Sequence, residues 1–432
     1  MIGQAIFFII LAAAVYLFWK NAAKIRRNIL LGRDADFSDR PAERWATMAR
    51  VALGQSKMTK RPVAAILHLF VYVGFVIINI EVLEILIDGL FGSHRVFSKP
   101  LGSFYGLLIG SFEVLALLVL VACLIFLVRR NVLKLKRFTG QEMTAWPKSD
   151  ANYILITEVL LMAAFLTMNA ADYKLQALHY GHYLQAGNFP VSEFIAPLLP
   201  SQASALVVAE RVCWWFHIVG ILAFLNYLPY SKHFHILLAF PNTYYSRLKP
   251  KGQFTNMASV TNEVKAMLDP SFVPEPADVS RFGAKDVTDL TWKNLMDAYT
   301  CTECGRCTSV CPANITGKKL SPRKIMMDTR DRVTEVGNNI DKHGKDFTDE
   351  NTLLDNYITR EELWACTTCN ACVEACPVNI NPLEIITEMR RYIVMEESQA
   401  PASLNNMFGN MENNGAPWKY SQADRLNWAE KS

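Results

Sequence analysis

Eight of the ten cysteines lie in two near-copies of one short motif. The first copy, CTECGRCTSVCP, spans residues 301–312, and the second, CTTCNACVEACP, spans residues 366–377. The spacing C-x2-C-x2-C-x3-C-P is typical of [4Fe–4S] sites, because three closely spaced thiolates can wrap one corner of a cubane while a turn presents the fourth. Two copies therefore predict two [4Fe–4S] clusters, and the chemistry of such clusters is one-electron transfer.

The fourth cysteine of each motif is expected to ligate the cluster of the other motif, as in two-cluster proteins with this spacing. The predicted ligand sets are Cys301, Cys304, Cys307 and Cys376 for one cluster, and Cys366, Cys369, Cys372 and Cys311 for the other. Zinc is the alternative, since eight thiolates could make two tetrahedral sites. Zinc sites usually combine C-x2-C pairs, however, and not a quartet that ends in Cys-Pro, so iron–sulfur clusters are preferred.

The composition is that of a protein that lies partly in a membrane. Hydrophobic residues make up 51% of the 432 residues and charged residues 19%. The formal net charge of +4 is small, so no nucleic-acid partner is expected. The two remaining cysteines, Cys123 and Cys213, lie in apolar runs and do not indicate a disulfide framework. Ligand thiolates must stay reduced, which places the two motifs in a reducing compartment.

Five apolar stretches are long enough, or nearly so, to cross a bilayer, which takes about 20 residues per helix. They are residues 4–20, 62–86, 104–128, 153–171 and 206–230. Water cannot satisfy the backbone inside a bilayer, so each stretch is predicted to be a helix. The first stretch is followed by no small-residue cleavage site, and we interpret it as a retained helix and not as a signal peptide.

Basic residues follow the first, third and fifth stretches and predict the orientation of the chain. After the first comes KNAAKIRRNILLGR, after the third comes RRNVLKLKR, and after the fifth come Lys232, Arg247, Lys249 and Lys251. Basic flanks favour the cytoplasmic side. The prediction is a multi-pass protein of the bacterial inner membrane, with a periplasmic N-terminus and a cytoplasmic iron–sulfur domain.

Histidines in and beside the apolar stretches are candidate haem ligands. His68 lies near the start of the second stretch, and His217 and His235 lie in and just after the fifth. If the fifth helix stays regular, His217 and His235 are five turns and about 27 Å apart on one face, and His233 points away. A buried histidine can be a packing residue. Histidines that face each other from two helices are better explained as axial ligands of a b-type haem.

The arrangement of His217, LPYS and His235 resembles the last helix of the cytochrome b (gamma) subunit of respiratory nitrate reductase. That family also has five helices and an outer N-terminus, and related subunits occur in membrane-bound heterodisulfide reductases. The resemblance implies that His68 and His235 hold one haem b near the cytoplasmic face. The family pattern has a second histidine ten residues after His68, where this chain has Ile78. A second haem is therefore expected only if His217 finds another mate, with His179 and His182 the first to test.

A quinone site is the alternative role for His217. Glu81 and Glu84 lie toward the outer end of the second helix and could complete such a site. The plain alternative is that both carboxylates merely reach the outer lipid headgroups. The sequence leaves these two interpretations open.

The second half of the chain resembles the all-helical ferredoxin domain of glycerol-phosphate and glycolate oxidoreductases, succinate dehydrogenase and heterodisulfide reductase. Its two motifs are separated by 54 residues, 312–365, and these have helical patterning, as do the residues after the second motif. A basic cluster follows the first motif and is either a solvated helix start or a docking site for an acidic partner. This cluster is Lys318, Lys319, Arg323 and Lys324.

The resemblances divide the chain into four segments and predict an all-α fold. A five-helix membrane cytochrome b domain covers 1–240, a largely irregular cytoplasmic linker 241–295, and the helical 2[4Fe–4S] ferredoxin domain 296–398. The tail, 399–432, resembles the connector that precedes cysteine-rich CCG repeats in larger iron–sulfur oxidoreductases. No CCG sequence occurs in the chain. We therefore expect a separate CCG-type subunit as a partner.

These features together predict a protein that transfers electrons along a series of bound cofactors. The chain has neither a G-x-G-x-x-G dinucleotide fingerprint nor a flavin motif. It resembles the membrane subunit of an iron–sulfur oxidoreductase that exchanges electrons between a cytoplasmic partner and the quinone pool through two [4Fe–4S] clusters and haem b. That partner is a CCG-type subunit, electron-transfer flavoprotein, or both. The alternative is a membrane-anchored redox sensor or assembly anchor without quinone turnover.

Overall fold

The computed structural model describes residues 1–250, 252–273 and 281–430. Lys251, Pro274, Pro276 and Ser432, which belong to segments interpreted above, lie outside the described residues. The described chain is all-α, as predicted. Besides its helices and turns it contains two isolated bridges, Arg33 to Thr291 and Leu354 to Ile358.

The first part of the chain, up to residue 250, contains nine α-helices. They are α1 (Ile2–Ile29), α2 (Pro41–Met48), α3 (Pro62–Phe91), α4 (Ser98–Leu101), α5 (Ser103–Asn131), α6 (Ala145–Ala177), α7 (Ser192–Ile195), α8 (Ala203–Tyr227) and α9 (His235–Tyr244). Single turns of other helical types occur at Ala49–Leu53, Lys136–Phe138, Ala196–Leu198, Leu228–Tyr230 and Lys232–Phe234.

The described residues after 250 contain ten further α-helices. They are α10 (Ala258–Leu268), α11 (Trp292–Thr300), α12 (Arg306–Ser309), α13 (Pro312–Ile315), α14 (Pro322–His343), α15 (Arg360–Trp364), α16 (Ala371–Ala375), α17 (Pro382–Met395), α18 (Ala402–Asn414) and α19 (Asn427–Glu430). Short turns lie at Val287–Asp289, Leu353–Tyr357 and Gln422–Asp424.

Five of these helices are long and apolar enough to cross a membrane, which confirms the five predicted spans. They are α1, α3, α5, α6 and α8 with the turn that follows it. Within the bundle α6 packs on α5 and α8, α3 packs on α5, and α1 packs on α3 and α8. The chain is therefore an integral membrane protein with a helical domain attached to one end of its bundle. We call that end the junction end and the opposite end the far end.

The helix α1 runs well beyond its apolar stretch because its basic final turns contact the iron–sulfur domain. Lys24 and Arg27 form ion pairs with Asp341 at the end of α14. Asn28 donates a hydrogen bond to the Tyr299 hydroxyl at 2.9 Å. Because α1 continues past residue 20, its polar side chains contact the iron–sulfur domain of the same chain, more than 270 residues further along the sequence.

The fifth helix is not continuous from His217 to His235, so the separation and the shared face that a regular helix would give them are wrong. Helix α8 ends at Tyr227, two 3-10 turns follow, and His235 begins a new helix, α9. Pro229 lies in the first of these turns, where it cannot continue the hydrogen-bond ladder of α8. His217 and His235 therefore do not share one face of a continuous helix.

Asp150, near the start of α6, holds the break in the fifth span in place. Its Oδ1 accepts hydrogen bonds at 2.6 Å from the hydroxyls of Tyr227 and Ser231. Its Oδ2 accepts one from the Lys232 backbone N–H at 3.2 Å. Because one buried carboxylate gathers three donors from the turn, the chain can change direction there without leaving polar groups unpaired.

The linker 241–295 is partly helical, whereas the prediction was a largely irregular segment. Its last residues pair with the chain that follows α1. The Arg33 N–H donates to the Leu290 carbonyl at 2.7 Å, and the Trp292 N–H donates to the Arg33 carbonyl at 3.0 Å. A Cβ on Gly32 would lie 2.6 Å from the Trp292 nitrogen, so only glycine permits this approach. The linker is thereby fastened to the first membrane helix.

The tail contains a helix and has no buried residue in its described part. The helix is α18, which covers Ala402–Asn414, and the described part is residues 399–430. Trp418 and Trp428 are 59% and 80% exposed. The tail therefore extends from the iron–sulfur domain as a helical segment with an open surface.

Candidate iron–sulfur and haem sites

The first ligand loop begins at the end of α11 and continues through α12 to the start of α13. Its backbone turns sharply at Glu303 and Gly305, whose φ angles are +53° and +69°. Gly305 is required there, because a Cβ would lie 2.7 Å from the Arg323 guanidinium and 3.1 Å from the Arg137 carbonyl.

The second ligand loop repeats the same backbone with different side chains. Thr368 and Asn370 occupy the two turn positions with φ angles of +56° and +60°. The Thr368 N–H points at the Cys366 sulfur at 3.4 Å, and the Ile380 N–H points at the Cys376 sulfur at 3.3 Å. Such N–H groups stabilise thiolate charge.

The two loops lie against each other so that the fourth cysteine of each is near the other motif. The Cys376 thiol is close enough to Cys304 and Cys307 for their charges to interact, and Cys311 stands in the same relation to the second motif. Cys307 also lies within reach of Cys372, between the two sets. Burial, and next the neighbouring Cys304, raises the pKa of Cys376 to about 11. This proximity supports the crossed ligand sets.

Within the residues that the structure describes, no three His, Cys, Asp or Glu side chains converge tightly enough to hold a single metal ion.

Charged residues that sequence reasoning missed surround the first ligand loop. Glu303 is 4% exposed and pairs with Lys232 beside the fifth span and with Arg330 on α14, the latter at 2.7 Å. Burial would raise the pKa of Glu303, but Arg330 and then Lys232 hold it below its usual range. No motif signals this triad, because its members are far apart in sequence and meet only through the tertiary fold.

Arg306 connects the first ligand loop to the start of α3. It donates to the Lys57 carbonyl at 3.1 Å and to the Met58 sulfur at 3.2 Å. Its charge also interacts with Cys304 on one side and with His68 on the other. His68 is six residues into α3, about 9 Å along the axis. The first cysteine quartet and His68 therefore lie close together at the junction end.

The basic cluster after the first motif is largely used inside the chain. Arg323 is 1% exposed and pairs with Glu142 of the loop before α6 at 2.6 Å. Lys324 is half-buried and pairs with Asp328, while Lys319 pairs with Glu361 on the surface. For Arg323, both the solvated helix start and the docking site for an external acidic partner are therefore wrong.

Three imidazoles lie together at the junction end of the bundle. His68, His233 and His235 are close enough for their charges to interact, and the rings of His233 and His235 are 5.5 Å apart. His233 does not point away, because the break after α8 turns it toward its neighbours. Burial is the main cause that lowers the pKa of His233, to about 3, followed by His235 and His68. Burial likewise lowers the pKa of His235.

Two histidines of the bundle have hydrogen bonds that suit metal ligation. A ligating histidine usually donates its other ring N–H to a backbone carbonyl, which fixes the ring and the tautomer. The His235 Nδ1 lies 3.1 Å from the Lys232 carbonyl, and the His217 Nδ1 lies 3.0 Å from the Leu161 carbonyl. The His68 Nδ1 is buried without a hydrogen-bond partner among the described residues. His235 and His217 thus have the backbone hydrogen bond that usually accompanies a ligating histidine, and His68 does not.

The surroundings of His217 contain no second histidine from α3. Ile78 is 6% exposed and packs in the same core cluster as Leu161 and Phe165, which contact His217. His179 and His182, the suggested alternative mates, are exposed in the loop after α6. His217 therefore has no facing histidine from α3, and the expectation of one haem stays a prediction.

The two glutamates of α3 do not reach outward to lipid headgroups. Glu81 and Glu84 are each 3% exposed. Glu84 accepts hydrogen bonds from the Phe97 N–H at 2.8 Å and from the Tyr105 hydroxyl at 2.9 Å. The Glu81 Oε2 has no partner in the described part of the chain. The headgroup interpretation is therefore wrong for both residues.

Comparison with known families identifies the cysteine-bearing region. Residues 300–380 match the family described as "4Fe-4S dicluster domain". This match covers both motifs and supports two [4Fe–4S] clusters over the zinc alternative. No solved structure was found to match the chain.

Curated proteins with similar sequences are iron–sulfur oxidoreductases. The chain is 28% identical over 463 residues to the "Probable iron-sulfur-binding oxidoreductase FadF" of Bacillus subtilis, covering 100% of this chain and 61% of that protein. It is 26% identical to the "EtfAB:quinone oxidoreductase" of Syntrophomonas wolfei, covering 98% of this chain and 58% of that protein.

The chain is also similar to heterodisulfide reductases, over a shorter part of its length. The chain is 30% identical over 151 residues to one subunit of the dihydromethanophenazine:CoB–CoM heterodisulfide reductase of Methanosarcina mazei, covering 33% of this chain and 35% of that protein. The chain spans about three fifths of the length of the first two relatives. It is thus related to iron–sulfur oxidoreductases of electron transfer and carries a 4Fe–4S dicluster domain beside five membrane helices.

Proposed function

We propose that this chain carries electrons between a redox partner in the cytoplasm and the membrane quinone pool. The iron–sulfur domain supplies two [4Fe–4S] carriers held by the crossed cysteine sets, and the bundle supplies one haem b held by His68 and His235. When bound, these groups accept and release single electrons, whereas quinone takes up two. A chain of one-electron carriers is the arrangement that can connect the two.

The junction between the two domains is the observation that carries this proposal. Arg306, in the first ligand loop, donates hydrogen bonds to the Lys57 carbonyl and the Met58 sulfur, just before the helix that carries His68. Lys232, three residues before His235, pairs with Glu303 inside the same loop. The segments that lead into both proposed haem ligands therefore contact the loop of the first cysteine motif. A sensor or assembly anchor would not need the first cysteine loop to lie next to the segments that carry His68 and His235.

The quinone is proposed to bind within the bundle, beside the haem or on the His217 side. The similarity to a subunit of a heterodisulfide reductase supports a further subunit as a partner, and we propose a separate CCG-type iron–sulfur subunit. The similarity to the EtfAB:quinone oxidoreductase of Syntrophomonas wolfei supports electron-transfer flavoprotein as a second partner. The exposed tail with Trp418 and Trp428 offers a surface for such a protein.

The proposed orientation places the iron–sulfur domain in the cytoplasm of a bacterium and the N-terminus in the periplasm. Its support is the row of basic residues at the junction end, where α1, α5 and the fifth span finish. Protease added to sealed vesicles tests it, with the exposed helix α10 as the cleavage target. Cleavage in inside-out vesicles and protection in right-side-out vesicles are expected. The reverse pattern would contradict the orientation.

The haem content is a direct test of the histidine assignment. A pyridine haemochrome assay of the purified protein is expected to give one b-type haem per chain. His68→Ala and His235→Ala are each expected to lose it, while His343→Ala, at the exposed end of α14, retains it. Two haems per chain would require a second ligand pair that includes His217. A protein without haem would make the three junction histidines packing residues.

The electron path is tested by reoxidation of the clusters. The protein is reduced with dithionite, the excess is removed, and a menaquinone analogue is added. The unmodified protein and His343→Ala are expected to reoxidise rapidly, and His235→Ala slowly with both clusters intact. Reoxidation of His235→Ala at the unmodified rate would remove the haem from the path. Slow reoxidation of the unmodified protein would favour the sensor or anchor.

A further inference from the structure

The far end of the bundle encloses a group of charged and polar side chains, which we call the far-end network. Its members come from α3, α5, α6 and the loop after α3, and each is at most 7% exposed. They are Glu81, Glu84, Arg95, Tyr105, Glu113, Asn169 and Asp172. Ionisable groups inside a membrane span are costly, so such a cluster indicates a functional site.

The network contains more acids than bases. The charges that act most strongly on Glu81 are those of one guanidinium and three carboxyl groups: Arg95, Glu84, Glu113 and Asp172. Arg95 is committed to Asp172, with Nε to Oδ2 at 2.6 Å, and to Asn169, at 3.0 Å. Four ionised carboxylates around one cation would leave buried charge uncompensated, which proteins avoid by protonation.

The hydrogen bonds show which acids of the network have fixed partners. Glu113 accepts three N–H donors, from Val191 at 2.9 Å, Ser192 at 3.1 Å and the Asn169 side chain at 3.2 Å. Both of its carboxyl oxygens are therefore occupied by amide donors. Asp172 differs from Glu113, because it pairs with Arg95 and also lies beside the titratable side chain of His94.

Glu81 differs from the other acids of the network. Glu84 accepts one N–H and one O–H donor, whereas the Glu81 Oε2 has no partner among the described residues. An unpartnered carboxyl oxygen that is almost fully buried is best accommodated when the group carries a proton. Glu81 is therefore the acid of this network that can take up and hand on a proton.

A line of titratable groups leads from the network to the surface at the far end. The His94 Nε2 lies 3.7 Å from the Asp172 Oδ2, and His94 is only partly exposed. The ring of His94 contacts that of His182, with centroids 5.2 Å apart, and His182 is exposed. Burial lowers the pKa of His94 to about 4, although Asp172 acts in the opposite direction. A neutral imidazole can accept a proton on one ring nitrogen and donate one from the other, which suits a step of such a line.

Glu81 follows Ile78 by three residues, slightly less than one helical turn and about 4.5 Å further toward the far end. Ile78 belongs to the same core cluster as the neighbours of His217. A quinone headgroup on the His217 side of the bundle would therefore have the Glu81 carboxyl as a nearby proton source.

We propose that Glu81 is the inner end of a proton path that connects a quinone headgroup in the bundle with the far side of the membrane through Asp172, His94 and His182. This inference rests on the proposed quinone function and adds the side from which protons are exchanged. Reduction of a quinone to a quinol consumes two electrons and two protons. The electrons come from the reduced protein, and the protons pass in two successive transfers from the Glu81 carboxyl, which is reloaded from the far side each time. Oxidation of quinol runs the same transfers in reverse.

Proteoliposomes that contain the full protein, quinone and a trapped pH-sensitive dye test this path. External dithionite does not cross the bilayer, so it reduces only molecules whose iron–sulfur domain faces outward and whose far end faces the lumen. The unmodified protein is expected to reduce quinone and to make the lumen alkaline. Glu81→Gln is expected to slow the alkalinisation roughly tenfold or more, with cluster reduction unchanged, and Glu81→Asp to restore part of the rate. Glu158→Gln, the same change in another membrane span outside the network, should match the unmodified protein.

The outcomes separate this inference from the function on which it rests. If the unmodified protein reduces no quinone, the proposed function fails and the path fails with it. If it reduces quinone and Glu81→Gln alkalinises the lumen equally fast, or if protons are taken from the external side, the path alone is wrong. Infrared spectroscopy gives a readout without turnover. The protonated-carboxyl absorption of the resting protein is expected to be weaker in Glu81→Gln than in the unmodified protein, and an equally strong absorption in Glu81→Gln would also overturn the assignment.

Discussion

The two ligand loops share one backbone and differ in their surroundings. Each turns through two residues with positive φ, Glu303 and Gly305 in the first loop, Thr368 and Asn370 in the second. In the first loop Glu303 is buried in an ion-paired triad. In the second loop Thr368 is partly exposed and Cys369 is exposed.

The comparison shows that the cysteine spacing specifies the turn, while the residues between the cysteines specify the direction in which the loop faces. Charged residues that match the membrane bundle turn the first loop inward. Small neutral residues leave the tip of the second loop open. The two clusters are therefore expected to have different neighbours: the bundle for the first, and solvent or a partner protein for the second.

The largest effect is expected from replacing the fourth cysteine of either loop by serine. Cys376→Ser should remove the cluster predicted at the first motif, because its thiol lies beside Cys304 and Cys307. Cys311→Ser should remove the other cluster. Paramagnetic resonance of the reduced proteins distinguishes the two signals. If Cys376→Ser loses the cluster of the second motif and keeps that of the first, each loop binds its own cluster and the crossed sets are wrong.

The second-largest effect is expected at the buried triad of the first loop, which consists of Glu303, Lys232 and Arg330. Glu303→Gln leaves Lys232 and Arg330 without their shared carboxylate, and breaking a buried ion pair costs about 3–5 kcal/mol. The melting temperature in detergent should fall clearly, with early loss of the first cluster. Thr368→Val, at the matching position of the second loop, serves as the control and should change little. Equal melting of the two variants would show that the loops do not differ in this way.

The turn positions themselves should respond unequally to substitution. Gly305→Ala adds a Cβ in the left-handed region, at about 1–2 kcal/mol, and places it 2.7 Å from the Arg323 guanidinium. Asn370→Gly, at the equivalent position, keeps the same φ without new contacts and should stay within about 0.5 kcal/mol of the unmodified protein. Iron content and melting temperature measure both. Full iron content and unchanged melting in Gly305→Ala would contradict the tight packing of the first loop.

The smallest effect is expected where the second loop approaches the membrane side. Lys60 and Glu374 form an exposed ion pair at 2.8 Å, with side chains 61% and 38% exposed. Exposed pairs contribute about 0–1 kcal/mol and weaken with salt. Lys60→Ala should therefore shift the melting temperature only slightly, and less in high salt. A shift as large as that of Glu303→Gln would mean that the second loop is also held firmly by the bundle.

Much of the fold follows from patterns that are local in sequence. The five spans were predicted from apolar length, and the cluster ligands from cysteine spacing, because both depend on residues close together in the chain. The ends of the helices were not predictable in this way. Helix α1 continues nine residues past its predicted end at residue 20, since its basic turns contact Asp341, and no local signal announces a contact so far away in sequence.

The junction shows the same limit more sharply. Pro229 was visible in the sequence, but the break that it permits is held by Asp150, on another helix. That break brings His233 beside His235 and removes the regular helix on which the 27 Å separation depended. Arg323 was visible as part of a basic run, yet its burial against Glu142 depends on how two distant loops meet. Residue type alone could not distinguish a surface charge from an interior one.

The pairing of Arg33 with Leu290 and Trp292 has a consequence for biosynthesis. Its bridge partner, Thr291, leaves the ribosome 258 residues after Arg33, roughly 13–50 s later at 5–20 residues per second. All five spans can enter the bilayer during that interval, while the end of the first helix and the tight approach at Gly32 have no partner. Nascent chains released before residue 290 should therefore insert normally and still be recognised as unfinished by proteases at the junction end.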